Sequence, residues 1–370
     1  MLRKFFLKIH LYLGLTVGLL FALMGLTGSL MVFGEEIDAA FNPGLLHVAP
    51  QENKADFQTV ETAVKNSFPD GKIYRIKMPR GPGEVYEFWM NANGDLRVYV
   101  NPYTVEVTGS RYFPSTWRGR LFLLHTQLLG GETGKTAIGA AAFLFLVLGI
   151  TGMILWWRGR RNLKRALRIN FRAGWKRANY DAHNAIGFFA FLFLGVSAVS
   201  GIHLIFNAPF EKTVNYLTGT PNRPPAPASR FIEGASALPL ETIFAKSNEI
   251  WGEAETTWLY PPANENAAYM VRKKFTSEYH PNGKSFIYFD QYSGEILRAE
   301  NAVEAPLVTR SINNLYPLHI GIMGGTATRL LQILIGFTPA VLFITGFLMW
   351  RNRLPKSSRA ARAPKAAKTA

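Results

Sequence analysis

The chain has 370 residues, 48% of them hydrophobic, a formal net charge of +16 and no cysteine. The missing cysteines exclude disulfides, thiolate zinc sites, iron–sulfur clusters and cysteine nucleophiles. A charge this high suggests nucleic acid as a partner, but the placement of the charges excludes that reading.

Four stretches lack Asp, Glu, Lys and Arg and are long enough for the about 20 helical residues that cross a bilayer: Leu11–Phe33, Ala137–Trp157, Ala185–Phe206 and Leu330–Trp350. The first is too long for a signal-peptide core and no small-x-small cleavage site follows it, so it reads as a retained helix. Residues 1–10, 158–180 and 351–370 hold three, nine and seven basic side chains and no acidic one. By the positive-inside rule these segments face the cytoplasm, and the two long segments carrying nearly all the acidic residues lie outside. Trp156, Trp157 and Trp350 then anchor the cytoplasmic interface.

In chain order the expected parts are the N-terminus and first span (1–34), a small α+β domain (35–120), a histidine segment with the second span (121–157) and a basic loop (158–182). A third span (183–206), a second α+β domain (207–315), a histidine segment with the fourth span (316–350) and a disordered basic tail (351–370) complete it. Within the domains, amphipathic helices are expected near 57–68 and 239–251, and strands at Glu84–Met90 and Ser285–Asp290. The basic loop alternates apolar and basic residues, which predicts an interfacial amphipathic helix on anionic lipid; a docking surface for an acidic electron donor is the alternative.

The halves repeat. From His10 the distances to Gly14, Gly28 and Phe33 are 4, 18 and 23 residues, and from His183 to Gly187, Gly201 and Phe206 they are the same. His125 leads through Gly130-Gly131 and Thr151-Gly152 to Trp156 as His319 leads through Gly324-Gly325 and Thr345-Gly346 to Trp350. Asn93-Gly94 with Asn101-Pro-Tyr103-Thr104 matches Asn282-Gly283 with Asp290-Gln-Tyr292-Ser293 more loosely. Each half has an even number of spans, so the repeats are parallel and equivalent residues lie at equal depth. His10 and His183 therefore belong to one layer at the cytoplasmic end, and His125 and His319 to another near the outer surface.

Histidine near the membrane marks function, and neutral imidazole is a common transition-metal ligand. Thr27-Gly28, Thr151-Gly152, Ser200-Gly201 and Thr345-Gly346 lie at the histidine levels on neighbouring helices. Gly28, Gly152, Gly201 and Gly346 leave room for a flat ligand such as haem between two axial histidines; small residues also serve plain helix packing in membranes. His203 is an alternative outer ligand, a hydrogen-bond donor behind a ligand or an interfacial side chain, and His47 and His280 read as surface loop residues.

These spans and the NG-x6-[ND]-x-Y-[ST] domains resemble the PepSY-associated transmembrane family over about residues 3–353, and within it the ferric-siderophore reductase branch, the FoxB-like and PiuB-like iron-regulated membrane proteins. The resemblance implies a polytopic α-helical inner-membrane protein with four helices in two tandem parallel repeats, two PepSY-like periplasmic domains and two b-type haems. It implies an electron path to a periplasmic ferric siderophore, with His10, His183, His125 and His319 carrying the family's histidine pattern.

No dinucleotide fingerprint, P-loop or flavin domain is present, so the donor is expected to be separate: reduced flavin, a flavodoxin-like protein or quinol. The substrate floor is expected near Ser110–Arg120 and Ala305–Tyr316. Arg111, Arg118, Arg120 and Arg310 would attract an anionic chelate there, with Trp117 and Tyr316 stacking on it; arginines and aromatics are also ordinary interface residues. No catalytic acid, base or nucleophile is expected. The alternatives are a non-catalytic membrane-anchored PepSY module and a histidine-dependent metal transporter.

Overall fold

A computed structural model describes residues 1–91, 95–157 and 163–353. Four helices are long and apolar enough to cross a membrane: α1 (Leu2–Met31), α6 (Gly131–Trp156), α8 (Trp175–Ile205) and α13 (Gly325–Arg351), each running past the uncharged core read from the sequence. Charged and aromatic flanks continue the helical hydrogen bonding beyond the apolar stretch. The remaining helices are α2 (Gly34–Phe41), α3 (Pro43–Leu46), α4 (Phe57–Ser67), α5 (Trp117–Gln127), α7 (Leu163–Ala166), α9 (Asn207–Thr218), α10 (Leu240–Ile250), α11 (Leu307–Asn313) and α12 (Leu315–Ile320). The strands are β1 (Lys72–Lys77), β2 (Tyr86–Asn91), β3 (Asp95–Val100), β4 (Val107–Tyr112), β5 (Glu255–Tyr260), β6 (Tyr269–Lys274), β7 (Ser285–Phe289) and β8 (Ile296–Glu300).

In the bundle α1 packs against α6 and α13, and α8 packs against the same two helices. The α1–α13 crossing is so close that a Cβ on Gly25 or Gly336 would collide with the other helix, and Ser29 Oγ donates to Ile333 O at 3.1 Å. Small residues drive such contacts in lipid. Pro339 lies inside α13 without an N–H to give, and Thr338 Oγ1 donates instead to Ile335 O at 2.6 Å.

The α+β segments do not form two separate domains. They share one antiparallel eight-stranded sheet of order β4-β3-β2-β1-β5-β6-β7-β8, joined where Ile76 pairs with Leu259 and Lys77 with Trp258. Each four-stranded segment has two edges, and β1 and β5 cover one edge of each by pairing, while β4 and β8 remain the outer strands. One face of this sheet meets α4 and α10 in a single core of Phe57, Val60, Val64, Ile243, Phe88, Val98, Val271 and Ile287. Asp56 starts α4 by accepting from Thr59 N at 2.8 Å. The two matching turns fold alike: Asn101 Oδ1 accepts from Tyr103 N and Asp290 Oδ1 from Tyr292 N, with Val105 at φ 62° where Gly294 has 67°.

Two further expectations change. No continuous amphipathic helix forms among the described residues of the basic loop. α7 is a single turn, the Asn170 side chain accepts from Arg172 N, and Gly174 at φ +83° breaks the chain before α8. His280 is buried rather than in an open loop. The tail from residue 354, residues 158–162 and the Asn93-Gly94 turn lie outside the described residues.

Candidate functional site

The sequence places four histidines on four helices, and folding brings them together two by two. His10 on α1 and His183 on α8 meet at the end of the bundle far from the sheet, with ring centroids 6.3 Å apart and planes at 88°. His125 on α5 and His319 on α12 meet at the sheet end, 6.4 Å apart at 62°. Along α1 the two levels are about 27 Å apart, from the 18 residues between His10 and Gly28.

Every ring is held in the same way. Thr151 Oγ1 lies 3.2 Å from His10 Nδ1, Thr27 Oγ1 3.0 Å from His125 Nδ1, Thr345 Oγ1 2.8 Å from His183 Nδ1 and Ser200 Oγ 2.9 Å from His319 Nδ1. Each of these hydroxyls also donates its one proton back to a carbonyl of its own helix, as Thr151 does to Leu148 O and Ser200 to Val196 O. Its oxygen must then accept from the imidazole, which puts the ring proton on Nδ1 and leaves the Nε2 lone pair unused. The next residue is glycine each time. A Cβ there would stand 3.0 Å from Cε1 of His125 at Gly28, 3.0 Å from that of His10 at Gly152, 3.3 Å from that of His183 at Gly346 and 3.7 Å from that of His319 at Gly201. The four Thr-Gly or Ser-Gly pairs are thus ring seats: the hydroxyl fixes the tautomer and the glycine admits the ring edge.

A metal bound at imidazole Nε2 sits about 2 Å from the nitrogen, hence about 3 Å from the ring centroid, and two rings on one metal have centroids about 6 Å apart. Both pairs have this spacing. Among the described residues no group of three or more His, Cys, Asp or Glu is gathered, so each pair could offer a metal two imidazoles and no further protein ligand of these types. That donor set fits a metal whose remaining ligands come from a planar macrocycle.

The PepSY-associated TM region family model matches residues 7–353. The chain belongs to this family. No curated protein matches it. As a family member it is a membrane protein, and its ring seats lie on the four candidate spans.

The other expected residues scatter. His203 does not join the sheet-end pair, where His319 already faces His125. Its Nε2 lies 2.9 Å from Asn207 Nδ2 and 3.5 Å from Glu211 Oε1, its ring packs on Phe210, and its buried Nδ1 has no hydrogen-bond partner among the described residues. Arg111 is committed to the buried Asp38, with two parallel contacts, and to Tyr99 Oη at 2.9 Å, so it is not available to a chelate. Trp117 and Arg120 line an apolar groove of about 520 Å³ with Leu30, Ile37, Phe41 and Leu124, away from Tyr316. Arg310 is exposed on α11.

Only Arg118 and Tyr316 share a neighbourhood. Arg118 donates to Glu35 Oε1 at 2.6 Å, and Lys77, with Arg118 and Arg80 adding to it, holds the Glu35 carboxyl down to about 2. Tyr316 stacks on His280, a residue that sequence reading left on the surface. Burial, reinforced by Arg272, Lys284 and Arg80, pushes His280 down to about 2, so it stays neutral among cations. The same reading missed Arg80, Arg272 and Lys284, because only the fold brings the loop after β1, strand β6 and the turn before β7 together around His280.

Proposed function

We propose that this chain is a transmembrane electron-transfer protein of the ferric-siderophore reductase kind, with a b-type haem at each histidine pair. The carrying observation is the fourfold ring seat, which leaves each Nε2 lone pair unused and sets the two ring centroids of both pairs at the spacing expected for one metal. When bound, haem would supply the one-electron couple. His10 and His183 would hold one group, His125 and His319 the other, and Thr151, Thr345, Thr27 and Ser200 would keep each imidazole neutral and aligned.

In this reading the halves are tandem parallel repeats in the bacterial inner membrane. The basic termini and 158–180 loop face the cytoplasm, where they contact anionic lipid, and the sheet lies in the periplasm. A separate donor, a reduced flavin, a flavodoxin-like protein or quinol, would supply electrons on the side of His10 and His183. A ferric siderophore on the side of His125 and His319 would accept them and release ferrous iron. The chain itself contributes spacing, ligation and exclusion of water, and no acid, base or nucleophile.

The test is an absorption spectrum of the full chain, purified in detergent from haem-supplied cells, before and after dithionite. Two haems per chain with reduced bands of six-coordinate b-type haem are expected; a preparation without a Soret band rejects the proposal and leaves an anchored module or a metal transporter.

A further inference from the structure

The sheet face turned away from α4 and α10 carries cations whose ligand the reading above does not name. Arg272 of β6 donates from Nε and Nη2 to Gly283 O at 2.9 and 2.6 Å, with Nη2 also 3.2 Å from His280 Nδ1. Arg80 donates to Asn282 Oδ1 in the same turn, and the Lys284 backbone N–H is taken by Glu278. Lys284 Nζ itself has no hydrogen bond or ion pair among the described residues, nor has the Tyr316 hydroxyl.

The nearby carboxylates are already engaged. Glu35 accepts from Arg118, Glu211 from Asn207, and Glu278 from the N–H groups of Phe275 and Lys284. Arg223, the other cation near Lys284, is paired with Glu300. The half-buried Arg272 and Lys284 thus share one neighbourhood, with the exposed Arg80 at its edge and no carboxylate at ion-pair distance among the described residues. Uncompensated charges in such a place are costly unless an anion joins them.

The position is specific too. Tyr316 precedes His319 by three residues on α12, and Arg118 precedes His125 by seven on α5, so each shares a helix face with its histidine. Tyr316, stacked on His280, thus links the cationic neighbourhood to the helix that carries His319.

We propose that Arg80, Arg272 and Lys284, with the Tyr316 hydroxyl, form a carboxylate-binding site between the sheet and the sheet-end histidine pair. Guanidinium forks and an ammonium match carboxylate oxygens, and the neutral His280 ring spaces Arg272 from Tyr316. The carboxylate has two sources: the propionates of a porphyrin between His125 and His319, which rests on the proposed haem function, or a carboxylate ligand entering from the sheet side, which does not.

The experiment uses the full chain in detergent, with citrate as the free-carboxylate probe in a calorimetric titration, and haem content and midpoint potentials read on the same samples. Lys284→Gln and Arg272→Gln are compared with Lys284→Arg, each checked for thermal unfolding. A ligand from outside gives saturable citrate binding, weakened at least tenfold by Lys284→Gln and retained by Lys284→Arg. Propionates give no citrate binding, but Lys284→Gln then lowers the potential of the haem at the sheet-end pair alone, and Lys284→Arg restores it. Citrate binding in a haem-free chain upholds this site while rejecting the haem reading. The absence both of citrate binding by the unaltered chain and of any change in potential or haem content in the Gln variants overturns the proposal, as does a preference for inorganic phosphate over citrate.

Discussion

The position a Cβ would take on Gly28 lies 3.0 Å from Cε1 of His125, whereas the same position on Gly201 lies 3.7 Å from Cε1 of His319. Two seats of one design therefore differ in tolerance. A methyl group fits at ordinary van der Waals distance at Gly201 but forces the His125 ring to shift by several tenths of an ångström at Gly28. Since ligation demands geometry near 0.5 Å, Gly28→Ala is expected to perturb the sheet-end centre and Gly201→Ala to leave it intact. Low-spin haem signals in electron paramagnetic resonance would separate the two variants; equal spectra would refute the seat reading.

Thr345 accepts from His183 Nδ1 at 2.8 Å while its own proton goes to Val341 O. Thr345→Val keeps the shape and removes the acceptor; Thr345→Ser keeps both. Loss of a hydrogen-bonding partner behind a ligand typically costs about 10- to 100-fold in metal affinity. A haem-loss assay with an apoprotein acceptor should show faster loss from one of two sites in the Val variant, with the Ser variant close to the unaltered chain.

How legible these centres are depends on the range of the interaction that makes them. The spans, the helices at Phe57–Ser67 and Leu240–Ile250, and the meeting of His10 with His183 and of His125 with His319 follow from local periodicity and repeated spacing. The continuous sheet does not, since Ile76 and Leu259 are partners through an edge contact that leaves no local pattern. Arg111 reads like any membrane-edge arginine until Asp38, 73 residues earlier, is beside it. His280 has no sequence sign of burial, because Tyr316 reaches it from another segment.

Asp38 is 1% exposed and Arg111 holds it through both guanidinium arms. The pair ties α2 to β4 and so fixes the sheet on the bundle. Arg111→Ala leaves a buried carboxylate without its partner, which costs about 3–5 kcal/mol. Thermal unfolding in detergent should show this loss, and adding Asp38→Asn should recover part of it. If the haem spectrum also survived in the double variant, Arg111 would be established as a structural residue distinct from the ring seats.

Lys273 is fully buried in β6, where its Nζ donates to Asn248 Oδ1 at 2.9 Å and to the Trp251 and Ala254 carbonyls at 2.8 and 3.2 Å. It closes the end of α10, but burial without an ion-paired carboxylate pushes its ammonium down to about 8. In the unfolded chain the proton stays bound to about pH 10.5. Between these values the unfolded state binds more protons, so stability rises with pH across the window, and below about 8 the full cost of burying the charge is present. The shift corresponds to about 3 kcal/mol. Lys284, also lowered to about 8, adds to the same slope. Tyr86, Tyr99 and Tyr269, raised by burial to about 12, reverse it above about pH 10, where only the unfolded chain loses those protons. Met90 in β2 is likewise buried and faces the same core, so a methionine suits this environment. Unfolding of the unaltered chain is therefore expected to require more denaturant at pH 9.5 than at pH 7.5, on the order of the window above, and Lys273→Met should flatten the rise while Lys273→Arg keeps the variant pinned to its low-pH stability.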